Sequence, residues 1–473
     1  MTDSVAVPSK HSLRGDARLK KIRDLRGGVV AMRKAGETYL PKEEREEQSD
    51  YDDRLARSWL FPALDKAIED VADRIFSKDV SLSADVPTDL AELAEDIDNQ
   101  GRNLNSFARD VLEDGTEAGI AFILVDSPPK QGDLTLAQAR AINFRPYLVH
   151  IKAEDILGWK TTKIGNKSVL SMVRIWETVE ENDPDDKFKE VTVPQVRVLE
   201  LPVKNGVVGN VVVSVYRENK DGKWELRDRP IQSGLQEITL VPFYTNRTGF
   251  MKGKPRYEKL ADLNIAHWQS ASDQRNILHK ARVPLLALFG FSVEDVTSSP
   301  NSALVTTKSP QEADGKWVEI EGASIEAGRN DLKDLEQRMT VLGIELAWKP
   351  VSNNTGATGA AIDHGKMVTP LAMIAASLQD ALNKAFGFMA KYKGTEMSGG
   401  VEVNRDFGAS LLGTGDLVFL LNAVNTGQIS QETFLKECAR RGVLISDLNI
   451  EDEIERIKDE APETVSLPGI DED

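Results

Sequence analysis

The chain has 473 residues, of which 40% are hydrophobic, and 59 Lys and Arg stand against 76 Asp and Glu for a formal net charge of −17 at pH 7. This length suits about three domains with real cores, and the apolar content excludes a disordered chain. The acidic balance disfavours a protein that coats free duplex, because such binders carry a basic excess on the contact surface; an acidic wall that faces DNA without gripping it stays compatible.

Cys438 is the only cysteine, which rules out an intrachain disulfide and a Cys-based zinc site and fits a reducing compartment. The N-terminus scatters Lys10, Arg14, Arg18, Lys20 and Lys21 among polar residues and lacks the apolar core of a signal peptide. No later run approaches the length that spans a bilayer, so a soluble protein with no membrane partner is expected.

Residues 1–35 read as a basic, polar arm, mobile or docked on a neighbour, that carries little fold information. From Asp53, the residues Leu55, Trp59, Leu60, Leu64, Ile68, Val71 and Ile75 recur at helical spacing and predict one helix ending near Ser77. A second helix is expected over 89–97. A third opens at Asn103 and closes by Gly115, with Leu104, Phe107, Val111 and Leu112 on its apolar face. The unbroken apolar run 120–125 predicts a buried strand, and Pro128 and Pro129 stop it. Further strands are predicted at 145–150, 168–177, 195–201, 207–216 and 237–244. Strands that follow one another without intervening helices make 36–254 an α+β domain of antiparallel character.

A helix over 255–282 begins with a proline near its first turn and ends before Pro284. Short strands at 285–289, 303–306 and 316–320 make 283–328 a compact β insertion. Leu332, Leu335, Met339, Leu342 and Leu346 then give the seam of a packed helix over 329–346. Asn353, Asn354, Thr355, Gly356, Ala357, Thr358, Gly359 and Ala360 follow, a composition that favours mobile loop backbone. Met367, Leu371, Ile374, Leu378, Leu382, Phe386 and Met389 define one face of a long helix to Lys391, with Pro370 in its first turns. A strand at 401–404 and two short helices, 416–425 and 430–441, precede an acidic end.

Motifs that carry chemistry fail one by one. Gly365-Lys366 resembles a phosphate loop, but Ala360 stands where the first glycine is required, Met367 where a hydroxyl is required, and no strand precedes it. Asp96-Ile97-Asp98-Asn99-Gln100-Gly101 starts like a calcium loop, yet Phe107 occupies the position of the bidentate carboxylate, so a capped turn is expected. No two of the five histidines are spaced to share a metal from adjacent helical turns. Asp183, Asp185 and Asp186 read as a solvated loop, and Ser272, Asp273 and His279 lie on one helix, which cannot align a hydrolase triad. No catalytic residue, cofactor or metal is therefore expected, and the chain reads as architecture instead of an enzyme.

The order of elements resembles the portal proteins of tailed bacteriophages, in the group long catalogued only as a domain of unknown function. The resemblance rests on Tyr39-Leu40-Pro41, Tyr51 and Arg54-Leu55-Ala56-Arg57; on His267-Trp268, Ser272-Asp273, Asn276-Ile277-Leu278-His279 and Val283-Pro284; and on Thr355-Gly356-Ala357-Thr358-Gly359 before Pro370-Leu371, Leu378 and Ala381-Leu382.

The resemblance implies a ring-forming α+β fold of the portal type. Residues 36–254 with the long helix and strand (364–410) would be the wing, 255–282 and 329–346 the stem, 283–328 the clip, 347–363 the tunnel loop, 411–455 a small crown and 456–473 an acidic tail. It implies a homo-oligomer of twelve copies in the virion, assembled in the host cytoplasm. Partners would be double-stranded DNA in the channel, the terminase large subunit, a head–tail adaptor, and the major capsid or scaffolding protein. Asn353, Asn354, Thr355, Gly356, Thr358 and Gly359 would form the tunnel loop. Arg275, Lys280, Arg282, Arg329, Lys333 and Arg338 are candidates to line the channel, with intersubunit ion pairing to Glu336 or Asp331 as the equal alternative. Twelve copies would carry about −200 in total, a surface along which a duplex slides without adhering. Two other readings stay open: a metal-dependent nucleic-acid-processing enzyme using Asp96, Asp98, Asp183 and Asp185, and an adaptor or minor capsid protein.

Overall fold

The computed structural model describes residues 3–128, 144–183, 185–204, 206–282, 285–289, 314–318, 322–347, 357–405, 407, 414–440, 444 and 449–459. Its helices are α1 (Ala17–Arg26), α2 (Gly28–Ala35), α3 (Gln48–Arg57), α4 (Ala63–Ile75), the single turn α5 (Thr88–Ala91), α6 (Leu104–Ala118), α7 (Glu258–Ala281), α8 (Gly322–Ala347), α9 (Ala357–Lys393), α10 (Thr414–Asn425), α11 (Gln431–Arg440) and α12 (Ile450–Asp459).

Three layers stack on one another. A three-stranded sheet lies in the middle: β2 (Ile120–Asp126) is flanked by β3 (Tyr147–Ile151) and β12 (Leu240–Tyr244), all antiparallel. Ala121, Ile123 and Val125 face the helical layer, while Ile120, Phe122 and Leu124 face a second sheet. Because β2 is covered on both sides, its sequence is apolar without alternation. The second sheet pairs β4 (Ile156–Ile164), β5 (Lys167–Asn182), β6 (Glu190–Glu200), β9 (Val212–Glu218) and β10 (Trp224–Leu226) in sequence order, with β11 (Ile231–Gln232) also on β9. Short strands lie outside these sheets: β1 (Ser81–Leu82) pairs with β17 (Val401–Glu402), β7 (Val203–Lys204) with β8 (Val207–Val208), and β13 (Arg247–Gly249) with β14 (Lys252–Gly253).

The α+β class is as expected, but the arm is not loose. Leu19, Ile22, Leu25 and Met32 of α1 and α2 are buried. Arg23 reaches Asp114, Glu117 and Glu154, at 2.9 Å for the last, and Arg26 reaches Asp65, Glu113 at 2.9 Å and Glu117 at 3.0 Å. His150 Nε2 lies 3.2 Å from Asp114. The basic residues of the arm thus satisfy carboxylates of α6 that burial would otherwise penalise.

Other boundaries move for physical reasons. The single helix expected to Ser77 is two, α3 and α4, because Ser58 to Pro62 are non-helical and Pro62 is compatible with a helix start but not with its interior. The 89–97 segment is α5 followed by a 3-10 turn over Glu92–Asp96. Helix α6 is capped by the Asn103 side chain, as its spacing predicts, but runs through Gly115 to a left-handed Gly119. Strand β4 was not among the expected strands: its outer half alternates weakly and gives little periodic signal. Helix α8 starts at Gly322, so 322–328 are helical and not part of a β insertion. Helix α12 lies in the acidic end, with Glu451, Asp452 and Glu453 in its first turn, where the helix dipole favours negative charge.

Candidate functional site

The unit from α7 to α9 is the site on which the functional expectation rests. Helices α7 and α8 run antiparallel, as their contacts show: Gln274 Nε2 donates to Ile325 O at 2.9 Å, Ser270 Oγ to Asp331 Oδ2 at 2.6 Å, and His267 Nε2 lies 3.4 Å from Glu336 Oε1. At Gly328 a Cβ would stand 2.0 Å from Gln274 Oε1, so a side chain there would displace the amide that bridges the two helices. At one end of the pair, β15 (Leu285–Phe289) and β16 (Asp314–Val318) form an antiparallel ladder, with Leu285 opposite Val318 and Phe289 opposite Asp314. β16 begins two residues before the predicted 316–320 strand, and the predicted strand at 303–306 lies outside the described residues.

The other end of α7 is anchored in the helical layer. Asn264 accepts from Leu64 N–H at 3.1 Å and donates to Phe61 O at 2.9 Å, so a side chain from α7 caps α4, whose own N-cap position is Pro62. Trp268 is fully buried. Burial lowers the His267 pKa, with Glu336 acting against it. Ser272 Oγ accepts from Ser58 Oγ at 2.8 Å inside the core, which commits it to packing instead of nucleophilic work.

The motif residues upstream converge on the same anchor. Gln269 Nε2 donates to Tyr39 O at 2.9 Å, Tyr51 OH to Leu40 O at 3.1 Å, and Arg54 Nη2 to Pro41 O at 2.9 Å. Arg54 is buried and pairs with Glu46 at 2.7 Å. Tyr39, Leu40, Tyr51 and Arg54 are therefore one packed node beneath α7.

The six candidate basic residues do not form one set. With 100° per residue along a helix, Arg275 and Arg282 share the stripe of α7 that carries Leu260 and Trp268 into the core. They emerge where that stripe leaves the core and meet Arg33, Arg57 and His279 in an open cleft of about 420 Å³. Arg275 Nη1 donates to Arg57 O at 3.2 Å, and Arg33 Nη2 to Ser58 O at 2.9 Å. Arg329 and Lys333, four residues apart, are exposed on one flank of α8, and exposed Arg338 is on the opposite flank. The Lys280 side chain lies outside the described residues. As to the alternative partners, Asp331 and Glu336 are engaged within the chain by Ser270 and His267. Arg33 and Arg57 are not among the residues the sequence points to; their one signal is that both are basic residues in the last turn of a helix.

Of the predicted loop, Asn353, Asn354, Thr355 and Gly356 lie outside the described residues. Thr358 and Gly359 are in the first turn of α9, not in a loop. Ala357, Ala360 and Ala361 favour helix strongly, and a glycine close to a terminus weakens it little. Pro370 then falls in the interior of the helix instead of its first turns.

The carboxylates proposed for metal binding belong to two different turns. Asp98 accepts from Gln100 N–H at 2.9 Å and pairs with Arg102 at 3.0 Å; Asp96 accepts from Gly101 N–H at 2.7 Å and pairs with Arg145 at 2.6 Å. Asp183 holds Lys189 at 2.8 Å and the Asp185 N–H at 2.9 Å. Among the described residues, no group of three His, Cys, Asp or Glu could hold a metal, and no helix is long and apolar enough to cross a membrane.

Residues 257–393 match the family described as Domain of unknown function (DUF4055). The matched segment opens one residue before α7 and closes on the last residue of α9, so its limits are those of the helix–ladder–helix–helix unit. This bears out the resemblance to the group catalogued under such a description. No curated protein matches the chain. Among solved structures, the virion of a native gene transfer agent particle is similar at 10% identity and a TM-score of 0.40, covering 81% of this chain and 90% of that one. The neck of the native particle, computed with C12 symmetry, gives 9% and 0.38 over the same shares. The neck of the empty particle, computed with C6 symmetry, gives 10% and 0.40, again over 81% and 90%.

Proposed function

We propose that the chain is a non-enzymatic portal protein, twelve copies of which form a ring at the capsid vertex of a tailed phage. Double-stranded DNA passes through the ring during packaging and ejection. The observation that carries this reading is the α7–α8 pair: two antiparallel helices anchored in the helical layer at one end, closed by the β15–β16 ladder at the other, and followed by α9. In the ring these are stem and clip, with the sheets and helical layer as wing and α10 to α12 as crown. A head-to-tail ring needs two different complementary surfaces on each subunit, so the basic flanks of α8, with Arg329 and Lys333 on one side and Arg338 on the other, would each meet acidic surface of a neighbouring copy. The clip docks the terminase large subunit and later the head–tail adaptor, and the wing rim meets the major capsid or scaffolding protein.

Residues 353–356 are then the lip that meets DNA between stem and long helix. Deleting them is expected to leave ring assembly intact and to reduce DNA packaged or retained per particle, measured by quantifying encapsidated DNA. Loss of rings on that deletion would make the segment a structural connection instead.

A further inference from the structure

We propose that the arginine cleft between α2, α3 and α7 binds the phosphodiester backbone of a polynucleotide. The proposal rests on the conduit reading for the kind of polymer and goes beyond it in naming a site away from the lip.

Arg33, Arg57, Arg275, His279 and Arg282 line the cleft, and among the described residues no carboxylate does. In a chain of charge −17, four guanidinium groups converge without an acid between them. Asp53 lies 3.8 Å from Arg57, is 74% exposed and does not line the cleft. Arg33 and Arg275 each spend one N–H on a backbone carbonyl, and no ion pair joins Arg33, Arg275 or Arg282 to an acid among the described residues. Arg57 Nε is buried and has no hydrogen-bond partner among the described residues. Like charges held together with an unfilled donor favour an oxyanion, and the planar fork of arginine suits phosphate.

Two features favour a polynucleotide over an acidic peptide. Ala56 and Leu278 give the cleft an apolar floor against which a sugar can lie. Trp59, directly after the Ser58 whose carbonyl Arg33 holds, remains 48% exposed, an indole two residues from Arg57 that a base could stack on.

The test is binding of a labelled 20-base-pair duplex to the full chain, followed by anisotropy over a series of salt concentrations. Arg33→Ala with Arg282→Ala is expected to weaken binding at least tenfold at low salt and to reduce the slope of log K against log salt by about 1.8, since each lost phosphate contact removes about 0.9. Arg33→Lys with Arg282→Lys should keep most of the slope, and Arg229→Ala, an exposed arginine beyond β10, should change neither quantity. Unchanged affinity and slope in the double alanine variant would overturn the proposal. So would loss of oligomers with duplex affinity intact, which would assign the cleft to carboxylates of a second copy. Imaging of rings needs no DNA, so failure of this site and failure of the ring reading are separate results.

Discussion

Replacing Arg23 with methionine is expected to lower the stability of the chain by about 3–5 kcal/mol, read as a shift in the denaturant midpoint. Arg23 joins α1 to three acids, and two of them, Asp114 and Glu117, are buried. Methionine fills similar volume but leaves Asp114 with His150 and Glu117 with Arg26 as remaining partners, and breaking a buried pair from one side leaves much of the desolvation penalty uncompensated. The pH dependence separates this from a packing effect. Burial pushes the Asp114 carboxyl upward, but His150 and Arg23 outweigh it and hold the group below the usual carboxylate range. A depressed carboxylate stabilises the fold above its unfolded pKa, and that contribution is lost as pH falls through the lower folded value. For Glu117 burial dominates and raises the pKa despite Arg23 and Arg26, so its ionisation opposes folding as pH rises. Without Arg23, Asp114 loses part of what holds its carboxyl low, and the Glu117 carboxyl rises further. The deficit of the variant should therefore be largest near neutral pH and shrink in acid, where protonated carboxyls no longer need the cation. A deficit independent of pH would reduce Arg23 to a packing residue.

Gly119→Ala is expected to cost about 3–4 kcal/mol, with a thermal midpoint lowered by several degrees. Gly119 closes α6 at φ +83°, where a Cβ is disfavoured by about 1–2 kcal/mol. That Cβ would also stand 2.1 Å from Lys254 O and 2.6 Å from Lys254 N, backbone atoms that cannot step aside as a flexible side chain can. Gly119 O further accepts from Thr245 and Asn246 N–H at 3.2 and 3.0 Å, which ties the start of β2 to the segment leading into α7. Gly115→Ala, four residues earlier, meets the Phe243 ring at 2.5 Å instead. That substitution also destabilises, but a ring can shift where a peptide bond cannot, so the order Gly119 worse than Gly115 is the expected result.

The same pair of glycines shows where sequence reading falls short. Both are helix-stop signals, and spacing alone places the end of α6 at the earlier. Gly115 is there because Phe243 packs against it, a tertiary reason that periodicity does not carry. Likewise the arm reads as polar and basic, and its role became visible only when Arg23 and Arg26 met acids about 90 residues away. Long elements with a strong apolar stripe, α6, α7 and α9, and the doubly covered β2 were legible, because one-dimensional spacing determines which face is buried. The cleft was half legible: Arg275 and Arg282 stood out as stem arginines, but Arg33 and Arg57 join them through folding. The directions of Arg329 and Arg338 follow from helix geometry once α8 is located, and they part the six basic residues that composition had grouped.

The most direct measurement is electron microscopy of the purified full-length chain over a range of concentrations. Rings with a central channel, built from about twelve subunits, with α7 and α8 around the channel and the β15–β16 ladder at one rim, are the expected result. Monomers or compact dimers at every concentration would contradict it.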